Sequence, residues 1–162
     1  MLKKECSENE ARLKAEAYCS ATERCKDDVL RKLVQWGVPA DSYEAIIQYL
    51  EKERYVDEQR YSRAFVRDKY RFNQWGKIKI VQALKMKRLP GACISVALDE
   101  IDEDEYLSIL TSLLQKKLKS IKAANDYERN GKLIRFAAGR GYGMEEILRC
   151  MKRMGCDDES FE

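Results

Sequence analysis

One pattern of helix and corner residues recurs three times along this chain of 162 residues. Each copy has two adjacent apolar residues, another small or apolar residue three or four positions later, and then a corner that contains glycine or proline. The copies begin at Val29, Ile80 and Leu133, so they are offset by 51 and 53 residues. Self-similarity at such a period is the signature of a repeat architecture, in which small units bury a continuous core only by stacking.

A second apolar helix closes each copy, at residues 46–50, 97–101 and 147–151. Each unit is predicted to hold three helices, because its apolar residues recur at helical spacing. The predicted fold is all-α, an elongated and curved tandem array of three-helix repeats. Chance similarity between amphipathic helices is the alternative explanation of this register. The predicted limits are a flexible tail at 1–9, repeats at 10–54, 55–101 and 102–155, and a C-terminal tail at 156–162.

Local signals predict where the helices begin and end. Asp57 and Asp102 each precede a helical apolar pattern, and an aspartate there accepts hydrogen bonds from the free N–H groups of the first turn. Gly37 suits the left-handed position that closes a helix. The pair Asn130-Gly131 is predicted to break the chain before the eighth helix.

Aromatic residues alternate with basic ones in the central segment, a pattern that also occurs where bases stack on a protein. Core packing is the preferred interpretation, because Tyr61, Phe65 and Phe72 share a helical stripe. Tyr70 is the aromatic residue expected to be exposed. On an earlier helix, Val34 is expected to face inward.

Composition narrows the functional classes. The chain has six cysteines without a Cys-x-x-Cys pair and no histidine, which excludes a mixed Cys/His zinc site. An all-thiolate site would need ligands from distant segments, so we predict reduced, partly buried thiols and no metal or other cofactor. Without histidine, a serine or cysteine nucleophile lacks its commonest general base, and catalysis is not expected.

The expected location is the cytoplasm. No uncharged run approaches the roughly 20 residues that span a bilayer. Residues 1–5 lack the apolar core of a secretory signal. The chain is expected to act there as a monomer, without a membrane partner.

Charge is separated along the chain, although the formal net charge is only +3. Residues 60–88 hold ten Lys or Arg against the single acid Asp68, whereas residues 99–105 hold six acids. A second basic run follows at 116–122. Such runs are usually solvated helix faces, but separation by sign also suits a surface that binds a polyanion.

Four arginines of the central segment recur every three or four residues, which places them on one stripe of a helix. Guanidinium groups bind carboxylates or phosphates in a bidentate way, so acidic protein side chains and DNA phosphates are both suitable targets. The alternative is that these arginines pair with the chain's own acids at Glu58, Asp68 or 99–105. The predicted binding residues are Arg60, Arg63, Arg67, Arg71, Lys77, Lys79, Lys85 and Lys87.

The central segment resembles the hallmark of the RecX family of bacterial regulators of the RecA recombinase. The hallmark residues are Tyr55-Val56-Asp57-Glu58, Arg60-Tyr61, Ala64-Phe65-Val66, Trp75-Gly76, Ile80 and Leu84. The flanking units are similar to the first and third repeats of that family. Two positions depart from its pattern: Arg88 stands where glycine is usual, and Gly143 where a capping Ser or Asp is usual. Either the corner at Arg88 is built differently, or a left-handed non-glycine residue there costs roughly 1 kcal/mol.

The resemblance implies an all-helical protein that binds RecA and its filament on single-stranded DNA. It implies a negative regulator of homologous recombination and of the SOS response, which limits filament extension, ATP hydrolysis and strand exchange. Direct contact with DNA is a further implication. The residues themselves leave two other hypotheses open: a DNA-binding helical protein without sequence specificity, and a helical scaffold for an acidic protein partner.

Overall fold

The computed structural model describes residues 6–156, and all regular structure within that range is helical. The all-α prediction is therefore confirmed. No helix of this range has both the length and the apolar character needed to cross a membrane. The helices are α1 (Glu8–Ala21), α2 (Lys26–Gln35), α3 (Tyr43–Lys52), α4 (Glu58–Arg71), α5 (Lys77–Met86), α6 (Gly91–Asp99), α7 (Glu103–Leu118), α8 (Asp126–Gly139) and α9 (Met144–Arg153), with a short 3₁₀ helix at Ala40–Ser42.

The described chain forms two compact units. Unit one comprises residues 6–64 and 84–96, and unit two comprises residues 65–83 and 97–156. Unit one therefore contains α1, α2 and α3 in full, and unit two contains α7, α8 and α9. The residues of α4, α5 and α6 are divided between the two units.

Unit one is built around α1, α2 and α3, which pack on one another. Leu33 of α2 and Leu50 of α3 have no exposed surface and belong to one apolar core. Complete burial of a side chain of this size contributes about 1.5–3 kcal/mol. Helix α2 begins at Lys26 because the Asp28 carboxylate accepts a hydrogen bond from the Cys25 N–H at 3.1 Å, which satisfies a donor at the helix start.

Unit two is built in the same manner around α7, α8 and α9. Leu114, Leu133 and Ile147, one from each helix, are fully buried. Tyr106 and Tyr142 are also buried, and their ring centroids lie 5.3 Å apart. These aromatic rings give the unit a large apolar interior, since each ring buries more surface than an aliphatic side chain.

Both predicted aspartate caps are present. Asp57 accepts a hydrogen bond from the Arg60 N–H at 2.9 Å, and Asp102 accepts one from the Glu105 N–H at 3.1 Å. A cap of this kind contributes about 1 kcal/mol to helix stability. The starts of α4 and α7 therefore lie where the sequence predicts them.

The corner after the helix has the same geometry in all three copies of the repeated pattern. The corner residues are Gly37 at φ +74°, Arg88 at φ +60° and Gly141 at φ +98°. In each copy the next N–H bonds to the carbonyl five residues back, at 3.0, 3.1 and 3.2 Å. This is the hydrogen bonding of a Schellman helix end. Arg88 thus keeps the left-handed corner without glycine, at a cost of roughly 1 kcal/mol.

The predicted break at Asn130-Gly131 is wrong, because α8 runs without interruption from Asp126 to Gly139. Asn130 is fully buried, and its Oδ1 accepts hydrogen bonds from the Arg129 guanidinium at 3.0 and 3.1 Å. Packing of the helix overrides the low helix propensity of Asn and Gly, which is at most about 1 kcal/mol per residue. The chain instead breaks before α8, where Asn125 caps the helix.

Three burial predictions are also wrong. Val34 is 63% exposed, since the inner face of α2 is centred on residues 29 and 33. Phe72 is 79% exposed because α4 ends at Arg71, so the helical stripe does not extend to it. Tyr70 is only 3% exposed and packs edge-on against the ring of Tyr106.

The two predicted tails fall partly outside the described residues, which exclude 1–5 and 157–162. Within the described part, Cys6 and Cys156 are buried, and the Ser7 hydroxyl caps α1 by accepting from Glu10 N–H at 3.2 Å. All six cysteines are free thiols, five of them buried. Burial raises the pKa of the Cys19 thiol to about 11, which keeps it protonated and unreactive at neutral pH.

Candidate functional site

The eight predicted binding residues are shared between the two units. Unit one holds Arg60, Arg63, Lys85 and Lys87. Unit two holds Arg67, Arg71, Lys77 and Lys79. The helices α4 and α5 carry all of them except Lys87, which follows α5.

In unit one, the guanidinium of Arg60 is held by its own protein. Its Nε donates to Glu23 Oε2 at 2.5 Å, and its Nη2 donates to the Arg54 and Tyr55 carbonyls at 3.1 and 3.4 Å. The hydrogen bond to Glu23 raises the pKa of Arg60 above its usual value. Arg60 therefore fastens the start of α4 within unit one and is still 42% exposed.

Lys87 is also held by its own protein, through a partner that is more buried than Glu23. Its Nζ donates to Asp28 Oδ1 at 2.7 Å and lies 5.7 Å from the centre of the Tyr61 ring. Burial opposes ionisation of Asp28, but hydrogen bonds from Lys87 and from the Cys25 N–H outweigh it and lower its pKa. Because the Asp28 side chain is only 14% exposed, this pair is part of the structure of unit one.

The other two cations of unit one, Arg63 and Lys85, have exposed side chains. Arg63 lies in the first half of α4 and Lys85 near the end of α5. Long exposed side chains of this type reach a partner's surface without disturbing the core beneath them. The side chains of Arg63 and Lys85 therefore form part of the surface of unit one.

In unit two, two of the predicted cations pair with the acidic segment 99–105. The Arg71 Nε donates to Glu105 Oε1 at 2.7 Å, and the Lys77 Nζ pairs with Glu103. The hydrogen bond with Arg71 lowers the pKa of Glu105. The alternative drawn from the sequence, pairing of the arginines with the chain's own acids, is therefore realised for Arg71.

Lys79 lies beside an aromatic ring of unit two. Its Nζ is 4.4 Å from the centre of the Trp75 ring, and the Nζ of Lys69 is 4.7 Å from the same ring. Trp75 in turn packs edge-on against Phe65, with ring centroids 6.4 Å apart. Lys69 is absent from the predicted set although it belongs to the same basic segment. Lys69 lies near the end of α4, six residues before Trp75. This short separation across the end of the helix could have added Lys69 to the predicted binding residues.

Trp75 is positioned by a close contact between two backbone corners of unit two. The Gly76 N–H donates to the Arg140 carbonyl at 2.8 Å, and the Ile78 N–H donates to the Gly141 carbonyl at 3.0 Å. A Cβ on Gly76 would lie 2.2 Å from the Gly141 carbonyl carbon. Only glycine permits this approach, which explains the Trp-Gly pair in physical terms.

Two apolar side chains stand exposed among the cations of unit two. Phe72 is 79% exposed and follows Arg71, while Ile78 is 51% exposed and lies between Lys77 and Lys79. Singly exposed apolar residues are common on protein surfaces, so what distinguishes these two is their position next to cations in the sequence. Sequence analysis missed both, because it placed Phe72 in the core and did not single out Ile78.

Unit two contains a concave surface outside the predicted cations. A groove of about 720 Å³ lies along α8 and α9 in unit two, where Tyr127, Met144 and Leu148 are exposed. No group of three or more potential metal ligands was found among residues 6–156. Among the predicted cations, Arg63 and Lys85 of unit one and Arg67 and Arg71 of unit two have exposed side chains.

Comparison with known proteins identifies the family. The model of the third three-helix domain of RecX matches residues 103–151, and that of the second three-helix domain matches residues 57–98. The regulatory protein RecX of Pelodictyon phaeoclathratiforme is 30% identical over 137 residues, which cover 83% of this chain and 84% of the relative. That of Pseudomonas fluorescens is 33% identical over 131 residues, with coverage of 81% and 83%.

A solved structure has the same fold. The crystal structure of RecX from Lactobacillus salivarius superimposes with a TM-score of 0.81 at 17% identity, covering 93% of this chain and 97% of that one. The two domain matches together span more than half of the sequence. The chain therefore belongs to the RecX family of regulatory proteins.

Proposed function

We propose that this protein is a negative regulator of homologous recombination and of the SOS response. It binds RecA and its filament on single-stranded DNA, and it limits filament extension, ATP hydrolysis and strand exchange. It acts in the cytoplasm, as a monomer and without catalysis. The observation that carries the proposal is that residues 57–98, which match the second RecX domain, also contain all eight predicted binding residues.

The exposed cations support binding to a large anionic surface. Arg63 and Lys85 in unit one and Arg67 in unit two are exposed. Arginine in particular binds carboxylates and phosphates through two parallel hydrogen bonds, which gives directional as well as electrostatic recognition. A nucleoprotein filament offers many such groups in a repeating arrangement.

The internal ion pairs of unit two do not prevent this binding. The side chains of Arg71 and Glu105 are 44% and 38% exposed, and those of Lys77 and Glu103 are 26% and 57% exposed. Exposed pairs contribute little to stability, because water screens them and holding two long side chains costs entropy. A partner's acidic groups therefore replace Glu103 and Glu105 at small cost.

The exposed apolar residues favour a protein partner over bare DNA. Phe72 and Ile78 have no charge to offer to phosphates, whereas aromatic and arginine residues are enriched in the centres of protein interfaces. In unit two, Phe72 adjoins Arg71, so apolar and charged contacts to one protein surface are available together. This combination supports RecA itself as the bound surface.

The test is RecA-dependent ATP turnover on single-stranded DNA with increasing amounts of this protein. The wild-type chain is expected to reduce turnover at a few-fold excess or less. Arg67→Glu and Phe72→Ser should each weaken the effect, whereas Arg153→Glu, an exposed charge reversal on α9, should leave it unchanged. Absence of any effect of the wild-type chain at several-fold excess would refute the proposal.

A further inference from the structure

The second basic run of the sequence, at 116–122, forms part of a pocket in unit two. Helix α7 ends at Leu118, and the chain turns there, with the Ser120 N–H donating to the Lys117 carbonyl at 2.9 Å. This turn brings the end of α7 beside the middle of α8 and leaves a pocket of about 580 Å³. The lining residues are Lys117, Ser120, Ile121, Lys122, Lys132, Arg135 and Phe136.

The lining of this pocket carries four cations and no carboxylate. Lys132 holds the rim in place, since its Nζ donates to the Lys122 carbonyl at 2.6 Å and pairs with Glu128 at 3.2 Å. Within residues 6–156, no carboxylate lies within ion-pairing distance of Lys117, Lys122 or Arg135. Three lining cations are therefore without an ion pair in the described part of the chain, and Glu128, which pairs with Lys132 and also interacts electrostatically with Arg135, is the acid beside this surface.

An aromatic ring forms the apolar wall of the pocket. Phe136 is half-buried, and its ring centre lies 5.2 Å from the Lys117 Nζ and 5.4 Å from the Arg140 guanidinium carbon. Aromatic rings beside cations are the means by which proteins bind single-stranded nucleic acid, because bases stack on the ring while phosphates meet the charges. An acidic peptide would use the cations alone and would gain no stacking contact with the ring.

We propose that this pocket binds the backbone of single-stranded nucleic acid, with Lys122 and Arg135 contacting phosphates and Phe136 stacking on a base. This inference rests on the proposed function, in which the single-stranded DNA is that of the RecA filament. It places the nucleic-acid contact on α8 and on the connection between α7 and α8, away in sequence from the cations of α4 and α5. Direct binding to the strand is thus assigned to residues other than those proposed to meet RecA.

The first test is fluorescence anisotropy with a labelled oligo-dT of about 16 nucleotides and no RecA. Each phosphate contact contributes roughly 5-fold to affinity at 0.1 M salt and about −0.7 to the log–log salt slope. The double variant Lys122→Gln/Arg135→Gln should therefore bind about 25-fold more weakly, with a slope smaller by about 1.4. The matched control is Lys152→Gln/Arg153→Gln on α9, which removes the same charges from exposed positions and should bind within about twofold of wild type.

The second test isolates the stacking contact. Phe136→Leu keeps an apolar side chain, so thermal melting should confirm the fold. It should weaken binding to oligo-dT by about 5-fold or more while leaving binding to an abasic oligomer of equal length unchanged. An equal loss on both oligomers would overturn the assignment of Phe136.

Three results would overturn the site as a whole. These are no binding of the wild-type chain to oligo-dT at low salt, an equal loss in the control double variant, and competition by poly-glutamate as effective as that by oligo-dT. The last would assign the pocket to acidic protein. ATP turnover by RecA, measured in parallel, distinguishes the two proposals: oligo-dT binding without inhibition of RecA refutes the proposed function and leaves the pocket supported.

Discussion

Replacing Gly76 with alanine perturbs the corner that positions Trp75. The added Cβ would lie 2.2–2.3 Å from three backbone atoms of Gly141 and Tyr142. Carbon atoms in contact normally lie about 3.5–4.0 Å apart, so the two corners must separate by more than 1 Å. That separation also breaks or lengthens the hydrogen bonds from the N–H groups of Gly76 and Ile78, now 2.8 and 3.0 Å long.

The expected loss of stability follows from these two effects. Overpacking of a close contact costs about 1–3 kcal/mol, and each lost backbone hydrogen bond costs about 0.5–1.5 kcal/mol. The sum centres on about 4 kcal/mol. For a chain of this length, 1 kcal/mol corresponds to about 2–4 °C in melting temperature, so Gly76→Ala should melt about 8–16 °C below wild type.

Far-UV circular dichroism during heating, together with urea denaturation, measures this difference. The matched control is Gly139→Ala in the same unit, since Gly139 ends α8 and no atom lies within 4 Å of its ideal Cβ. The control should be as stable as wild type or slightly more stable, because alanine is the better helix former by about 1 kcal/mol. If Gly76→Ala melts within about 2 °C of Gly139→Ala, the close corner contact does not determine the stability of unit two.

Three further predictions concern charge and backbone strain. Replacing Glu103 and Glu105 together by Gln should tighten binding to RecA filaments roughly 2- to 5-fold by freeing their cations, and unchanged affinity would show that the pairs do not compete with a partner. Arg88→Gly should raise the free energy of unfolding by about 1 kcal/mol in urea, since the φ of +60° no longer strains a side chain; a loss of stability would contradict this reasoning. The pKa of Asp28 is lower in the folded protein than in the unfolded chain. The ionised carboxylate therefore contributes to the free energy of unfolding above about pH 4, and this contribution is lost as the pH falls through the pKa of the folded state. The urea midpoint of Asp28→Asn should therefore fall less steeply below about pH 4 than that of the wild type. If both midpoints fall equally, Asp28 does not contribute to the loss of stability in acid.

Local chemistry made part of the fold predictable from the sequence. Asp57 and Asp102 accept hydrogen bonds from residues three positions ahead, so each cap depends on a short segment only. The Schellman corners after Leu33 and Leu84 likewise involve six consecutive residues. Helix caps and corners of this kind recur wherever the same short sequence pattern recurs. The three repeats could therefore be recognised from the sequence.

Long-range packing was not predictable in the same way. Tyr70 is buried because the ring of Tyr106, 36 positions later, lies against it. Asn130 stays helical because α8 packs on α7 and α9, not because of its own propensity. The end of α4 at Arg71 explains why Phe72 is exposed, since the helical stripe through Tyr61 and Phe65 stops before it.

For the predicted binding residues, too, local features were predictable from the sequence and long-range contacts were not. Their charge and, for all except Lys87, their position on α4 or α5 are local features that can be predicted from the sequence. Their pairing is not local: Arg60 meets Glu23 and Lys87 meets Asp28, at separations of 37 and 59 residues. A single sequence does not indicate which acid each cation will meet, so these ion pairs could be identified only from the structure.

The most direct test of the central claim is binding of this protein to RecA filaments assembled on single-stranded DNA, measured by co-sedimentation beside the same DNA without RecA. The account predicts tighter binding to the filament than to the bare strand, and a loss of that preference in Arg67→Glu but not in Arg153→Glu. Equal binding of the wild-type chain to both, unaffected by Arg67→Glu, would contradict it.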